Sequence, residues 1–280
     1  MEYVNEYKKV ANSSFNGYSW TGYCAYNNFG KREEQLEIPQ VIHYCWFGGT
    51  AKNEETKNYI DGWKKVLKGY EFKEWNEFNF PVEEFSYAQT AYEKGEYASV
   101  NDVARTYALY TYGGIYLNTD MEVIRDFSGC LRNKSMVLGF EKGGTGLTTG
   151  FAASVSGHEV LGEMLDYYRE YEFVPTGREC PEKMDVLLLT NLMMERGVVM
   201  NNRYQQIEDR ISVFPEEYFG ADRLERGIRL RSENTYTIHH YRDSEQPLSA
   251  KIKNICRNIY RNVLGIILGD ESERKIQIEE

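Results

Sequence analysis

Long apolar runs are missing from this 280-residue chain. No stretch approaches the roughly 18 apolar residues that a membrane-crossing helix needs, so no transmembrane span is expected. The first residues carry Glu2, Glu6, Lys8 and Lys9 without an apolar segment behind them, which excludes a recognisable signal peptide. Cysteine is sparse and odd in number: Cys24, Cys45, Cys130, Cys180 and Cys256 are scattered, and none forms a CxxC pair. That pattern excludes a disulfide framework and a cysteine zinc site, and it fits reduced thiols in a cytoplasmic protein. Positive charge is short as well, 33 Lys and Arg against 43 Asp and Glu, for a net charge of −10, so a nucleic-acid partner is not expected. The GxxxxGK[ST] phosphate loop is absent, as are internal repeats and low-complexity linkers.

What remains is a globular composition, 41% hydrophobic and 27% charged, long enough for one large α/β domain or two small ones. Tyrosine is frequent, 23 residues, and suits both core packing and contacts to sugars or bases. Residues 1–36 are polar and weakly periodic and read as an extension. From Ile38 to Phe47 the apolar run is nearly continuous, as in a strand buried on both faces of a parallel sheet. A helix over 54–68 and a strand over 70–75 follow, the opening of a βαβ unit. Such units gather ligands at the carboxyl ends of their strands. Trp46 and Gly48-Gly49 sit at such an end, where an indole can stack on a base or simply pack in the core.

The segment Ser99 to Glu122, SVNDVARTYALYTYGGIYLNTDME, organises the rest. Val100, Val103, Ala104, Tyr107, Ala108 and Thr111 follow helical spacing. Ser99 with Asp102 resembles a capping box, and Gly113-Gly114 supplies the stop. Ile115–Leu117 then reads as a strand, and continued alternation places Tyr116, Asn118 and Asp120 on one face. An Asn-Thr-Asp strand end can hold a cation and its anion, or can be a solvated loop. Asp102 and Arg105, three apart on a helix, can grip sugar hydroxyls together or form a plain surface ion pair.

Downstream, helices are expected over 83–94, 158–171 and 183–196, and strands over 136–140 and 211–214. The glycine-rich stretch 141–149 is a substrate loop or a surface turn. TYTIHHY (235–241) alternates, with Tyr236, Ile238 and His240 on one face and Thr237 and His239 on the other. These histidines are either ligands or buried packing residues. The tail KIKNICRNIYRNVLGIIL (251–268) is a basic amphipathic helix that docks on an anionic membrane surface or packs on protein.

Three motifs carry a family resemblance: IPQVIHYCWFGG (38–49), ASVNDVARTYALYTYGGIYLNTDMEV (98–123) and IHHYRDS (238–244). Together they resemble glycosyltransferase family 32, the sugar-binding DXD-motif family of yeast mannosyltransferases and bacterial capsular polysaccharide enzymes. They are more distantly similar to the glucosyltransferase domains of large clostridial toxins. The resemblance implies an α/β, GT-A type, Rossmann-like fold over 37–249, between the 1–36 extension and a 250–280 helix and tail. It implies a metal-dependent retaining transfer from a nucleotide-sugar, UDP-linked before GDP-linked, to a glycan or lipid-linked saccharide acceptor. It implies Mn2+ or Mg2+ as cofactor and a cytoplasmic enzyme, peripheral at the inner face of the membrane. Residue by residue, Trp46 matches the base-stacking position, Asp102 and Arg105 the donor-sugar contacts, and Tyr116 a residue lining the nucleotide site. Asp120 matches the direct metal ligand, and His240 the C-terminal one with His239 as the competing choice. Asn118 stands where the family has its first Asp, which leaves contact through a metal-bound water and points alternatively to a weak or inactive nucleotide-sugar-binding protein. Glu245 stands where the family has Trp.

Overall fold

The computed structural model describes residues 37–141, 143–174, 184–207, 210–220, 224–225, 228–229 and 232–240. The chain divides into Met1–Gln35 and Leu36–Glu280, and the described residues all belong to the second unit. The 1–36 extension, the end of the third motif and the 251–268 tail lie outside the described residues. No helix among the described residues is long and apolar enough to cross a membrane.

The α/β expectation holds. The strands are β1 (Val41–Cys45), β2 (Glu71–Trp75), β3 (Gly114–Leu117), β4 (Met121–Val123), β5 (Met136–Phe140), β6 (Leu147–Ser154), β7 (Gln205–Ile207), β8 (Ile211–Phe214), β9 (Leu224–Glu225), β10 (Ile228–Arg229) and β11 (Thr237–His239). Seven of them form one sheet in the order β2-β1-β3-β6-β5-β8-β7. Strands β1, β2, β3, β5 and β8 run one way, and β6 and β7 run against them. β11 pairs antiparallel with β4 in a separate ribbon, and β9 pairs with β10.

The helices are α1 (Glu54–Val66), α2 (Ser86–Glu93), α3 (Tyr97–Tyr112), α4 (Ser128–Leu131), α5 (Glu159–Glu170), α6 (Met184–Glu195) and α7 (Glu216–Phe219). Apolar side chains of α2, α3, α5 and α6 form one buried cluster with the sheet. Those of α1, α4 and α7 form a second with Ile42, Ile115 and Phe151. The sheet is therefore the middle of three layers, and its inner strands β1, β3, β5, β6 and β8 are buried on both faces, while the edge strands β2 and β7 are polar and partly exposed. Helix α1 starts at an Asn53 cap, whose side chain accepts from the Thr56 amide.

Two local expectations change. Helix α3 begins at Tyr97, two residues ahead of Ser99, so Ser99 and Asp102 lie inside it and form no capping box. Asp102 instead turns its carboxylate to Arg105. Strand β3 ends at Leu117, and Asn118–Asp120 is a turn closed by the Met121 amide on the Asn118 carbonyl at 3.0 Å. Turn geometry, and not continued alternation, therefore sets where Asp120 points.

The Gly113-Gly114 stop has φ values of 65° and 108°. A Cβ on Gly114 would lie 2.6 Å from the Val41 carbonyl oxygen, so β3 can pair this closely with β1 only through glycine. His43 fills the same junction, fully buried. Its Nε2 donates to the Gly113 carbonyl at 2.8 Å, and its Nδ1 accepts from Trp75 Nε1 at 3.1 Å. These partners fix the neutral tautomer. Burial, with Lys73 nearby, pushes the His43 pKa from 6.5 down to about 4, against the opposing effect of the Gly113 bond. Between those two values the unfolded chain binds the proton and the folded chain does not. Stability from this residue is complete above about pH 6.5 and falls by about 3 kcal/mol as the pH drops to about 4. Urea unfolding of wild type and His43→Gln from pH 4 to 7 should show a stability difference that shrinks toward low pH. A difference that stays constant across the range would refute this assignment.

Candidate functional site

The carboxyl edge of the sheet brings together the ends of β1, β2, β3 and β5 with the start of β6. An irregularity in β6 shapes this edge. Leu138 pairs with Ala152 and Gly139 pairs with Thr148, so Thr149, Gly150 and Phe151 have no partner on β5. The bulged segment turns to β3 instead: Phe151 pairs with Leu117, and the Asn118 amide donates to the Gly150 carbonyl at 2.9 Å. Bulges re-aim groups in this way beside binding sites. Here the Thr149 carbonyl is aimed at Arg105 and Gly150 sits beneath Asn118. A Cβ on Gly150 would lie 3.0 Å from His239 Cε1 and 3.3 Å from Asn118 Nδ2.

His239 is the histidine that meets the acidic turn. Its Nε2 lies 3.1 Å from Asp120 Oδ1 and 3.4 Å from Asn118 Nδ2. The antiparallel register of β11 on β4, with His239 opposite Met121, produces this juxtaposition. His240 points the other way: its Nε2 lies 3.2 Å from Glu122 Oε2 and its ring stacks on Tyr59 at 4.8 Å between centroids. The His240 amide still donates to the Asp120 carbonyl at 3.1 Å. Trp63, fully buried on α1, donates from Nε1 to the Met121 carbonyl at 2.7 Å, which fixes the chain just past Asp120.

Deeper in, Arg105 is buried among polar groups. Its Nη2 bonds Asp102 and lies 3.3 Å from Asp185 Oδ2, and its Nη1 donates to the Thr149 carbonyl at 2.8 Å. The guanidinium lies 5.1 Å over the Tyr116 ring. Burial alone would favour loss of its proton, but Asp185 and Asp102 outweigh that and hold it more firmly charged than a free arginine. Tyr116 is itself buried, backing Arg105 with its hydroxyl beside Cys45, and burial pushes its pKa far up. Trp46 stands at the end of β1, half-buried; its Nε1 donates to the Thr50 carbonyl at 2.7 Å and Lys52 Nζ lies 5.4 Å from its ring. Just beyond it, the Gly48 amide donates to Glu77 Oε1.

The structure thus joins Asp120, His239 and Asn118 in one group, and Asp102, Arg105 and Tyr116 in a second. Asp185 and Thr149 belong to the second group and are not apparent from sequence. Asp185 opens an apolar helix, MDVLLLTNLMME, where an acidic first-turn residue is ordinary.

Residues 53–138 match the family described as glycosyltransferase sugar-binding region containing DXD motif. The matched segment contains Asp102, Arg105, Tyr116, Asn118 and Asp120. Among solved structures the chain is similar to the PaToxG glycosyltransferase, at 18% identity and a TM-score of 0.44 over 58% of this chain and 70% of that one. It is also similar to a glycosyltransferase involved in the glycosylation of the major capsid of PBCV-1, at 12% identity and a TM-score of 0.40, over 72% of this chain and 93% of that one. No curated protein matches the chain.

Proposed function

We propose that this protein is a metal-dependent retaining glycosyltransferase that moves a sugar from a nucleotide-sugar, UDP-linked before GDP-linked, to a glycan or lipid-linked saccharide. The observation that carries the reading is the adjacency, within one sheet edge, of an acidic turn and a buried Asp–Arg pair, both inside the segment 53–138 that matches a sugar-binding region, with His239 brought to the turn from outside it. Retention of configuration and the order of nucleotides rest on the family resemblance.

Asp120, His239 and the Asn118 side chain would hold the cation, Mn2+ or Mg2+. Among the described residues no three His, Cys, Asp or Glu side chains converge, so the protein offers two such donors and an amide. That set fits a hard divalent cation whose remaining ligands come from substrate phosphate and water. When bound, the cation neutralises charge developing on the departing diphosphate. Asp102 and Arg105 orient the sugar through its hydroxyls, and Trp46 offers a face to the base, with the glycines beside it allowing close approach.

Incubation with Mn2+ and a panel of UDP- and GDP-sugars should give slow donor hydrolysis. Absence of both binding and hydrolysis for every donor would refute the proposal. Of the two histidines, His239→Ala should lower metal-dependent turnover about 100-fold and His240→Ala less than about tenfold, since the latter braces Glu122. The reverse order would assign the cation to His240.

Asn118 supports a second reading, a nucleotide-sugar-binding protein with little turnover. It supplies an amide where a carboxylate would add charge, beside His239. Calorimetry showing metal-dependent binding without turnover, and turnover gained by Asn118→Asp, would favour that reading.

A further inference from the structure

The ribbon of β4 and β11 carries both halves of the Asp120–His239 pair, and helix α1 holds each strand by a separate side chain. The ladder leaves one group for α1 to hold. The His240 amide donates to the Asp120 carbonyl and the Ile124 amide to the Tyr236 carbonyl, so these are hydrogen-bonded pairs of the antiparallel ribbon. Bonded and non-bonded pairs alternate, so Met121 and His239, which lie opposite each other, form a non-hydrogen-bonded pair. The Met121 amide and carbonyl therefore face away from β11. The amide closes the turn on the Asn118 carbonyl, and the carbonyl accepts from Trp63 Nε1 at 2.7 Å. Met121 is fully buried, and a buried carbonyl outside its ladder is costly to leave unpaired. Trp63 is fully buried too, with Tyr44 edge-on to it at 5.8 Å, so packing fixes where its indole N–H points.

Tyr59 lies one turn earlier on the same face of α1. Its ring stacks on His240, 4.8 Å between centroids and 22° from parallel, while His240 Nε2 lies 3.2 Å from Glu122 Oε2 on β4. His240 adjoins His239, so Tyr59 holds β11 beside one half of the pair as Trp63 holds β4 beside the other. The 3.1 Å approach of His239 Nε2 to Asp120 Oδ1 depends on both strands keeping these heights.

We infer that Trp63 and Tyr59 are positioning residues for the cation site: they supply no ligand, and they set the distance at which Asp120 and His239 present theirs. The inference rests on the metal-dependent glycosyltransferase reading and assigns α1 a part in it. Groups that orient metal ligands from behind are worth about 10- to 100-fold in metal affinity. A role in folding alone is separated from this by Leu67, at the end of α1. It belongs to the same buried apolar cluster as Trp63, but its side chain has no donor to offer the ribbon.

Mn2+ binding to the full chain, read from the electron paramagnetic resonance signal of the free ion, tests it without reference to turnover. The titration is run with UDP or GDP present, whichever the wild type binds, and thermal melting is recorded for every variant. Trp63→Phe keeps a ring in the core and removes the donor, and it should weaken Mn2+ binding about tenfold. Tyr59→Leu should weaken it at least about threefold. Leu67→Ala should lower the melting temperature as Trp63→Phe does and leave Mn2+ binding within about twofold of wild type. A folded Trp63→Phe protein that binds Mn2+ as wild type does overturns the inference and leaves the glycosyltransferase reading intact. So does a Leu67→Ala protein weakened as much as Trp63→Phe, since lost stability would then explain both. If Trp63→Phe does not fold, Tyr59→Leu, at a half-buried position, decides alone, and unchanged Mn2+ binding there overturns the inference. A wild type that binds no Mn2+ with either nucleotide overturns the inference and the metal-dependent reading together.

Discussion

Asp120→Ala should lower metal-dependent donor turnover about 1,000-fold while leaving the folded state nearly untouched. The first half follows from what the turn presents. Asp120 supplies the carboxylate that meets His239, at 3.1 Å, and the turn aiming it is fixed by the Asn118 carbonyl and by Trp63 holding the Met121 carbonyl. A charge-neutralising group at a departing diphosphate is worth several kcal/mol, and about 4 kcal/mol corresponds to about 1,000-fold in rate. With Asn118 in place of a carboxylate, no second acidic side chain of the Asn-Thr-Asp turn can compensate. The second half follows from location. Asp120 lies at the rim with a side chain 13% exposed, it caps no helix, and its loss opens no apolar cavity. Hydrolysis measured across a Mn2+ titration, with thermal melting alongside, checks both halves. Full activity in Asp120→Ala would end the metal assignment, and a large fall in melting temperature would show that the turn is structural.

The parts of this site that were legible in the sequence are those set by local chemistry. Helical spacing in α3, the Gly-Gly stop, and the buried character of β1 are properties of neighbouring residues. So was the pairing of Asp102 with Arg105, because i and i+3 face each other on any helix. The choice between His239 and His240 was of another kind. Alternation put them on opposite faces, but which face meets Asp120 depends on β11 docking antiparallel on β4, a register set 118 residues away in sequence. Asp185 was further out of reach. Its burial results from α6 packing against α5 and β6, and its Arg105 partner lies on a different helix. The Ser99 cap failed for the converse reason: a local signature was present, but the helix extended past it and Asp102 found a stronger partner in Arg105. The β6 bulge, which aims Thr149 and seats Gly150 under His239, has no sequence signal beyond a lone glycine.

Arg105→Ala should be the most damaging single change to stability, at about 3–5 kcal/mol, as well as a loss of donor binding. Removing the guanidinium takes the ion pair from Asp102 and strands Asp185 in the interior, and breaking a buried ion pair from one side leaves the desolvation cost of the other. It also frees the Thr149 carbonyl and the face of Tyr116, which Arg105 now covers. Arg105→Lys should recover only part of this, since an ammonium cannot reach Asp102, Asp185 and Thr149 at once as a planar fork does. The decisive comparison is with neutralised partners. If stranded charge is the cause, Arg105→Ala combined with Asp185→Asn should be more stable than Arg105→Ala alone by at least about 1 kcal/mol, a non-additivity that urea unfolding resolves. Strict additivity of the two changes would mean that Arg105 stabilises the fold by packing alone, and that the two carboxylates around it are already at ease without it.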